Sequence, residues 1–240
     1  MTAGRIDPLR LVVEIGAIVF GILLAFSVDA WYDRVRENER ERAYENRIAA
    51  ELRELKSEIE AIDLNVRRSQ EYAETVALFF SDGPDLVDQN QLVLALYNTG
   101  RDYLAPLDTN TYEDIVSTGN LALISDTTRR ESIRRAYAIV RRLEDSRFPS
   151  RDQYLAGVRG WIPQRVVEQI RDACPNMSRS EEFICSAIDL DDEISAEIVA
   201  SVLTDQGRLA FQVRHQGLDV LARTAQNALE AVDEALGHLE

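Results

Sequence analysis

The residues of this chain that could carry out chemistry are few and lie far apart in the sequence. Its two histidines, His215 and His238, fall in one C-terminal helical stretch and are too far apart to share a metal ion on a single helix. The sequence has no glycine-rich phosphate loop, no dinucleotide fingerprint and no His-Glu-x-x-His zinc motif. We therefore expect no catalytic residues, no metal and no cofactor, and we predict that the protein is not an enzyme.

Three polar segments contain residue types found in functional sites, but each also lies where a helix is predicted to begin or end. The acidic run at 189–193 lacks the glycine and the terminal glutamate of a helix-loop-helix calcium site, and acids favour a helix N-terminus. Glu113 and Asp114 could serve as an acid and a base, but they fall in the first turn of a predicted helix, for which Asn110 and Glu113 form a capping-box-like start. The turn at 117–120 could hold an anion through its N–H groups, or it could end that helix at Gly119.

Two cysteines, Cys174 and Cys185, are close enough in the sequence to close a short loop. Pro175 and Asn176, beside the first of them, are typical of irregular structure. We predict a disulfide between the two, which would add about 3 kcal/mol of stability in the chain-entropy model. Two separate buried thiols are the alternative.

The charge balance narrows the possible partners. Lys and Arg total 27 against 42 Asp and Glu, which gives a formal net charge of −15 at pH 7. A body with this charge would repel a phosphate backbone, so we expect no nucleic-acid partner. One predicted helix carries a basic patch of six arginines: Arg129, Arg130, Arg134, Arg135, Arg141 and Arg142. We expect these arginines to pair with acids of the same helix. Docking of the patch to an acidic partner or to lipid headgroups is the alternative.

An apolar run near the N-terminus predicts a membrane anchor. From Leu9 to Trp31 the run would extend roughly 34 Å as a helix, enough to cross a hydrocarbon core of about 30 Å. Trp31 and Tyr32 close the run at interfacial depth, and a charged stretch follows at once. A cleaved signal peptide is the alternative, but an acid inside the run and a helix that continues past the candidate cleavage site argue against it. The sequence thus predicts a tail at 1–8, a transmembrane helix at 9–32 and a helical-bundle body at 33–240.

Five anchor residues fall on one narrow face of a helical wheel: Glu14, Ala17, Gly21, Ala25 and Val28. Small residues at this spacing let transmembrane helices approach closely in lipid, and an ionisable residue at membrane depth tends to face protein or water. We therefore predict that this face contacts another transmembrane helix, from a membrane complex or a second copy, while lipids cover the rest. The alternative is that Glu14 lies near the headgroups and the small residues are accidental.

Two long amphipathic segments dominate the remainder of the chain. Apolar residues alternate at spacings of four and three from Ile48 to Phe80, and the segment from Leu218 to Leu239 repeats in the same way. Two such helices are natural antiparallel partners. We predict an all-α fold, in which the transmembrane helix continues into the first amphipathic helix until 81–84, with shorter helices at 88–98, 110–119, 126–148, 164–172 and 193–203.

Two quoted stretches resemble a known family. The run "LVVEIGAIVFGILLAFSVDAWYDRVRENERERAYENRI" looks like the opening of a family of uncharacterised bacterial membrane proteins, in which an apolar helix passes into a charged one. The stretch "TYEDIVSTGNLALISDTTRRESIRRAY" is similar to the other recurring segment of that family. The resemblance implies a single-pass protein of the bacterial inner membrane and carries no known activity.

The signs of membrane topology conflict. Basic residues are more numerous after the anchor than before it, which favours a cytoplasmic body. A disulfide needs an oxidising compartment, so the predicted disulfide favours a periplasmic body. The short N-terminal tail and the family resemblance favour the same side of the membrane. We therefore predict a periplasmic body. As function we predict a non-enzymatic, membrane-anchored scaffold or accessory subunit of a larger inner-membrane complex. A ligand-sensing bundle that needs a partner for its output is the alternative.

Overall fold

The computed structural model describes residues 8–83, 87–101, 106–174, 185 and 187–239, without the side chains of residues 8–18 and 82. All regular structure in these residues is helical, so the predicted all-α class is confirmed. The α-helices are α1 (Pro8–Asp82), α2 (Gln89–Thr99), α3 (Asn110–Ser117), α4 (Thr127–Ser146), α5 (Pro149–Trp161), α6 (Gln164–Ala173), α7 (Asp192–Val202) and α8 (Asp205–Leu239), with a 3₁₀ turn at Asn120–Leu123.

The two long helices pack antiparallel, as predicted. Lys56 Nζ lies 2.7 Å from Asp233 Oδ1, and Gln70 Nε2 donates to Asp219 Oδ1 at 2.9 Å. Moving 14 residues forward along α1 therefore moves 14 residues back along α8, which fixes the register of the pair. On its other side α8 contacts α4, where Arg135 lies 3.1 Å from Glu234. α8 is thus the central helix of the bundle.

The core is built from the predicted apolar repeats. On α1 the repeat is buried at 2% exposure or less from Ile48 to Val76, and Phe80 packs against its end. On α8, Leu218, Leu221 and Val232 are equally buried. α4 adds Ile133, Ala136, Val140 and Leu143. The spacing of these residues places them on one stripe of each helix, and burying three stripes against each other holds the bundle together.

The N-terminal part of α1 projects beyond the bundle. Residues 19–34 are all exposed, and continuous burial of the apolar repeat begins only at Ile48. The helix is unbroken between these two parts, as predicted. In the described residues, no helix contains a stretch of sufficient length and apolarity to cross a membrane.

Local sequence explains several helix boundaries. Gly83 follows α1 with a φ of +97°, a conformation that suits glycine, and the Asp88, Asp126 and Asp191 side chains accept backbone N–H groups at the starts of α2, α4 and α7. The predicted capping box at Asn110 was wrong, because Asn110 is already helical and Thr109, the residue before it, makes no side-chain cap. The sequence also failed to predict α5, which starts at Pro149.

Candidate functional site

The predicted membrane-helix face lies on the projecting part of α1. The side chains of Glu14 and Ala17 lie outside the described residues. Gly21, Ala25 and Val28 are exposed, and a Cβ added at Gly21 would meet no atom within 4 Å. The body therefore leaves this part of the helix accessible for contacts with other molecules.

A buried carboxylate on α1 holds the start of α3. Glu51 is 7% exposed, and its two oxygens accept the backbone N–H groups of Thr111 at 2.6 Å and Tyr112 at 3.2 Å. Oε1 also accepts the Tyr137 hydroxyl at 2.5 Å. Glu51 therefore caps α3 from another helix, in place of the local cap that the sequence predicted.

The turn at 117–120 and the residues after it are held against α1 by further polar contacts. Gly119 adopts a left-handed φ of +73°, as its predicted role at a helix end requires. The Asn120 amide donates to the Tyr44 hydroxyl at 2.9 Å. Glu41 accepts both the N–H and the hydroxyl of Ser125, at 2.6 and 2.8 Å. Ser117 and Thr118 donate their hydroxyls to Asp114 O at 3.0 and 2.8 Å, so each polar side chain of the turn has a partner within the protein.

Glu113 and Asp114, considered above as an acid and a base, form ion pairs instead. Glu113 lies 3.4 Å from Arg141, and Asp114 lies 3.5 Å from Arg47. The rings of Tyr112 and Tyr137 stack beside them, with centroids 3.9 Å apart. Burial and the hydrogen bond to Glu51 raise the pKa of Tyr137 far above its usual range, so its hydroxyl stays protonated.

The prediction that the α4 arginines pair within their own helix is wrong for most of those that form ion pairs. Arg129 contacts Glu45 of α1 at 2.6 Å, and two others reach Glu234 of α8 and Glu113 of α3. Arg134 and Glu131, 3.9 Å apart, form a pair within α4. The basic patch therefore joins α4 to its neighbours. Each exposed pair contributes only about 0–1 kcal/mol.

The C-terminal end of α2 is capped by three other helices. Tyr154 of α5 donates its hydroxyl to Leu96 O at 2.8 Å, and Arg214 of α8 donates Nε to Thr99 O at 2.9 Å. Ser69 of α1 donates to Arg101 O, just beyond the helix, at 2.7 Å. Arg214 is fully buried, and its positive charge lies at the negative end of the α2 dipole. None of these three residues is predictable as a cap from the sequence alone.

A disulfide lies beside this capped end. Cys174, at the end of α6, is bonded to Cys185. The Asn98 amide of α2 lies 3.5 Å from the Cys185 sulfur and 3.9 Å from the Cys174 sulfur. Cys174 and Asn98 are both almost completely buried, so the disulfide closes the loop after α6 against the end of α2.

A cleft of about 690 Å³ opens between α2, α5, α6 and α7. Its charged lining among the described residues consists of one carboxylate, that of Glu197, and four arginines: Arg101, Arg151, Arg159 and Arg171. Burial lowers the pKa of Arg101, and the positive charge of nearby Arg171 lowers it further. The cleft therefore concentrates positive charge in an acidic chain.

The two histidines occupy separate surroundings. His215 stacks on Phe211 at 5.6 Å, and His238 is exposed near the end of α8. Within the described ranges, no group of three or more His, Cys, Asp or Glu side chains could hold a metal ion.

Fold and surface together define an all-α bundle with a projecting apolar helix and an arginine-lined cleft between α2, α5, α6 and α7. Comparison of the chain with protein-family models, curated proteins and solved structures finds no match.

Proposed function

We propose that this protein is a non-enzymatic, membrane-anchored helical scaffold or accessory subunit of a larger complex in the bacterial inner membrane. The observation that supports this most strongly is the exposed apolar part of α1. Large side chains that are 49–68% exposed occur on successive turns of this helix, outside the bundle: Val19, Phe20, Ile22, Leu23, Leu24, Phe26, Val28, Trp31 and Tyr32.

The exposed apolar side chains lie on all sides of this part of the helix. A helix that packs on a globular body has one apolar stripe, whereas residues 19–28 are apolar on every side apart from the hydroxyl of Ser27, which donates to Leu23 O at 2.8 Å. A helix that is apolar all round fits a lipid environment. The predicted anchor at 9–32 starts in the part of α1 whose side chains are not described.

The end of the apolar segment has the features of a membrane interface. Trp31 and Tyr32 are followed directly by charged residues, and the Arg36 guanidinium lies 4.3 Å from the centre of the Tyr32 ring. Aromatic rings next to basic residues are typical of the headgroup region. The unbroken helix then leads into the bundle, so we propose that α1 holds the body at the membrane surface.

The partner we propose is another transmembrane helix, from a different subunit or from a second copy. Gly21 and Ala25 give the anchor a face on which a neighbouring backbone can approach closely, with Val28 on the same face. The Cys174–Cys185 disulfide favours an oxidising compartment, so we place the body in the periplasm.

The experiment has two parts. Membranes that contain the full-length chain are washed with alkaline carbonate, and the chain is then purified in mild detergent to identify stoichiometric partners. We expect the chain to stay in the washed membranes with its N-terminus intact and to copurify with at least one membrane protein or with a tagged second copy. Release by carbonate, or a mature form that begins near Trp31, would contradict the anchor. Purification as a single copy alone would contradict the scaffold.

A further inference from the structure

The arginine-lined cleft indicates a binding function in addition to that of a scaffold. Its volume of about 690 Å³ lies inside the range of roughly 300–1,000 Å³ that is typical of small-molecule sites. Four helices form its walls, so its shape is set by the packing of the bundle.

The charges that line the cleft are unbalanced. Arg101 follows the end of α2, and Arg159 and Arg171 belong to α5 and α6. Glu197 of α7 supplies the only carboxylate of the described lining. The whole chain has a formal net charge of −15, so the net positive charge of the cleft lining is opposite in sign to that of the chain. Gathering guanidinium groups at one place is unfavourable in itself, and an anion in the cleft would offset this repulsion.

The remaining walls are apolar. Leu155 and Val158 of α5 and Val167 of α6 line the cleft, and the indole of Trp161 lies among them. A ligand that satisfied the arginines alone would leave these side chains in contact with water. A ligand that carries both an acidic group and an apolar or aromatic part would cover both kinds of surface.

The position of the cleft favours a soluble ligand. Arg101 O accepts a hydrogen bond from Ser69 of α1, so the cleft lies level with that residue. Ser69 is about 57 Å along the helix from Trp31. If Trp31 lies at the membrane surface, as in our proposed function, and α1 stands along the membrane normal, a lipid headgroup of the same membrane is out of reach. We propose that the cleft binds a soluble organic anion with an apolar part, held by Arg101, Arg159 and Arg171 against the Trp161 wall.

The test is calorimetric titration of the detergent-purified full-length chain with naphthalene-2-sulfonate, which carries one permanent negative charge on an aromatic ring. Naphthalene-2-sulfonamide is the matched neutral probe, and micelles alone supply the blank. We expect saturable binding of one sulfonate per chain, at least about tenfold tighter than that of the sulfonamide. No saturable binding of the sulfonate up to about 5 mM, or equal affinity for both probes, would overturn the proposal.

Two variants locate the site. Arg171→Gln should weaken sulfonate binding about tenfold, whereas Arg165→Gln, which removes the same charge from an exposed position of α6 outside the cleft, should leave it unchanged. We expect Gly160→Leu to weaken binding without loss of charge, because Gly160 lines the cleft and a Cβ there meets no atom within 4 Å. Gly237→Leu, equally open but at the end of α8, is the control. Equal affinity in each variant and its control would overturn the proposal whatever the outcome of the membrane experiment.

Discussion

Oε1 of Glu51 accepts the Tyr137 hydroxyl at 2.5 Å, while the same carboxylate holds the first N–H groups of α3. Glu51 belongs to α1 and Tyr137 to α4, so one buried side chain joins three helices. A buried carboxylate is costly unless its oxygens are satisfied, and here three donors satisfy them. This contact fixes where the segment around α3 lies on the bundle.

Replacing Glu51 should therefore be costly. Glu51→Ala leaves two backbone N–H groups and a buried hydroxyl without their acceptor, so we expect the free energy of unfolding to fall by about 3 kcal/mol. Tyr137→Phe removes one of these hydrogen bonds and should cost about 1–2 kcal/mol. Urea unfolding followed by circular dichroism measures both. If the two effects are simply additive in the double variant, the contact does not couple the helices as described.

The apolar repeats on α1 and α8 were predictable because period and phase can be read from the chain itself. The cap that Glu51 provides was not, because its partners lie 60 and 61 residues further on and only the packed bundle brings them close. The same holds for Arg214, whose position on α8 gives no sign that it caps α2. Long-range polar contacts lack the local periodicity that makes helices predictable.

Ser69 shows how a polar residue can hide inside a predictable pattern. It occupies the position between Val66 and Ala73 where the α1 repeat would place an apolar residue, and it is 2% exposed. Its hydroxyl donates to Arg101 O at 2.7 Å. The interruption of the repeat therefore marks the point where α1 holds the end of α2.

We expect Ser69→Ala to lower the free energy of unfolding by about 1 kcal/mol, because Arg101 O loses its hydrogen-bond donor in a partly buried site. Ser81→Ala is the matched control on the same helix, since Ser81 is exposed and bonds only within its own turn. Its effect should stay within about 0.5 kcal/mol. Denaturant midpoints at constant slope distinguish the two. Equal effects would mean that the contact between Ser69 and Arg101 adds no stability.

Alkaline pH should destabilise the bundle through its buried tyrosines. Burial raises the pKa of Tyr137 and of Tyr154 above the value of about 10 expected in the unfolded chain. The unfolded chain then loses protons that the folded chain retains, so stability is complete below about pH 10 and falls as the pH rises above it. Tyr154→Phe should make the decline from pH 10 to 12 shallower in urea titrations. An unchanged slope would contradict the assigned cause.

Reduction of the Cys174–Cys185 disulfide should lower the free energy of unfolding by about 3 kcal/mol, because a cross-link mainly restricts the unfolded chain. Unreduced protein should resist maleimide labelling, and both thiols should react after dithiothreitol treatment in urea. A periplasmic body also predicts digestion by protease added to spheroplasts. Free thiols before reduction, together with protection from protease, would reverse the proposed topology.

The last prediction concerns the projecting helix. Among the described residues, a Cβ at Gly21 meets no atom within 4 Å, so Gly21→Leu should leave the bundle intact. In a membrane the added side chain would stop a neighbouring helix from approaching, and close packing is what holds helices together in lipid. We therefore expect Gly21→Leu to insert normally but to lose its membrane partner, while Ile22→Leu, which adds no volume one position further along, retains it. Quantitative copurification from detergent extracts measures the ratio of partner to chain.

In the same assay Glu14→Gln should weaken the association if the carboxylate contributes to the contact. An unchanged partner ratio in Gly21→Leu would assign any interaction surface to the helical body instead.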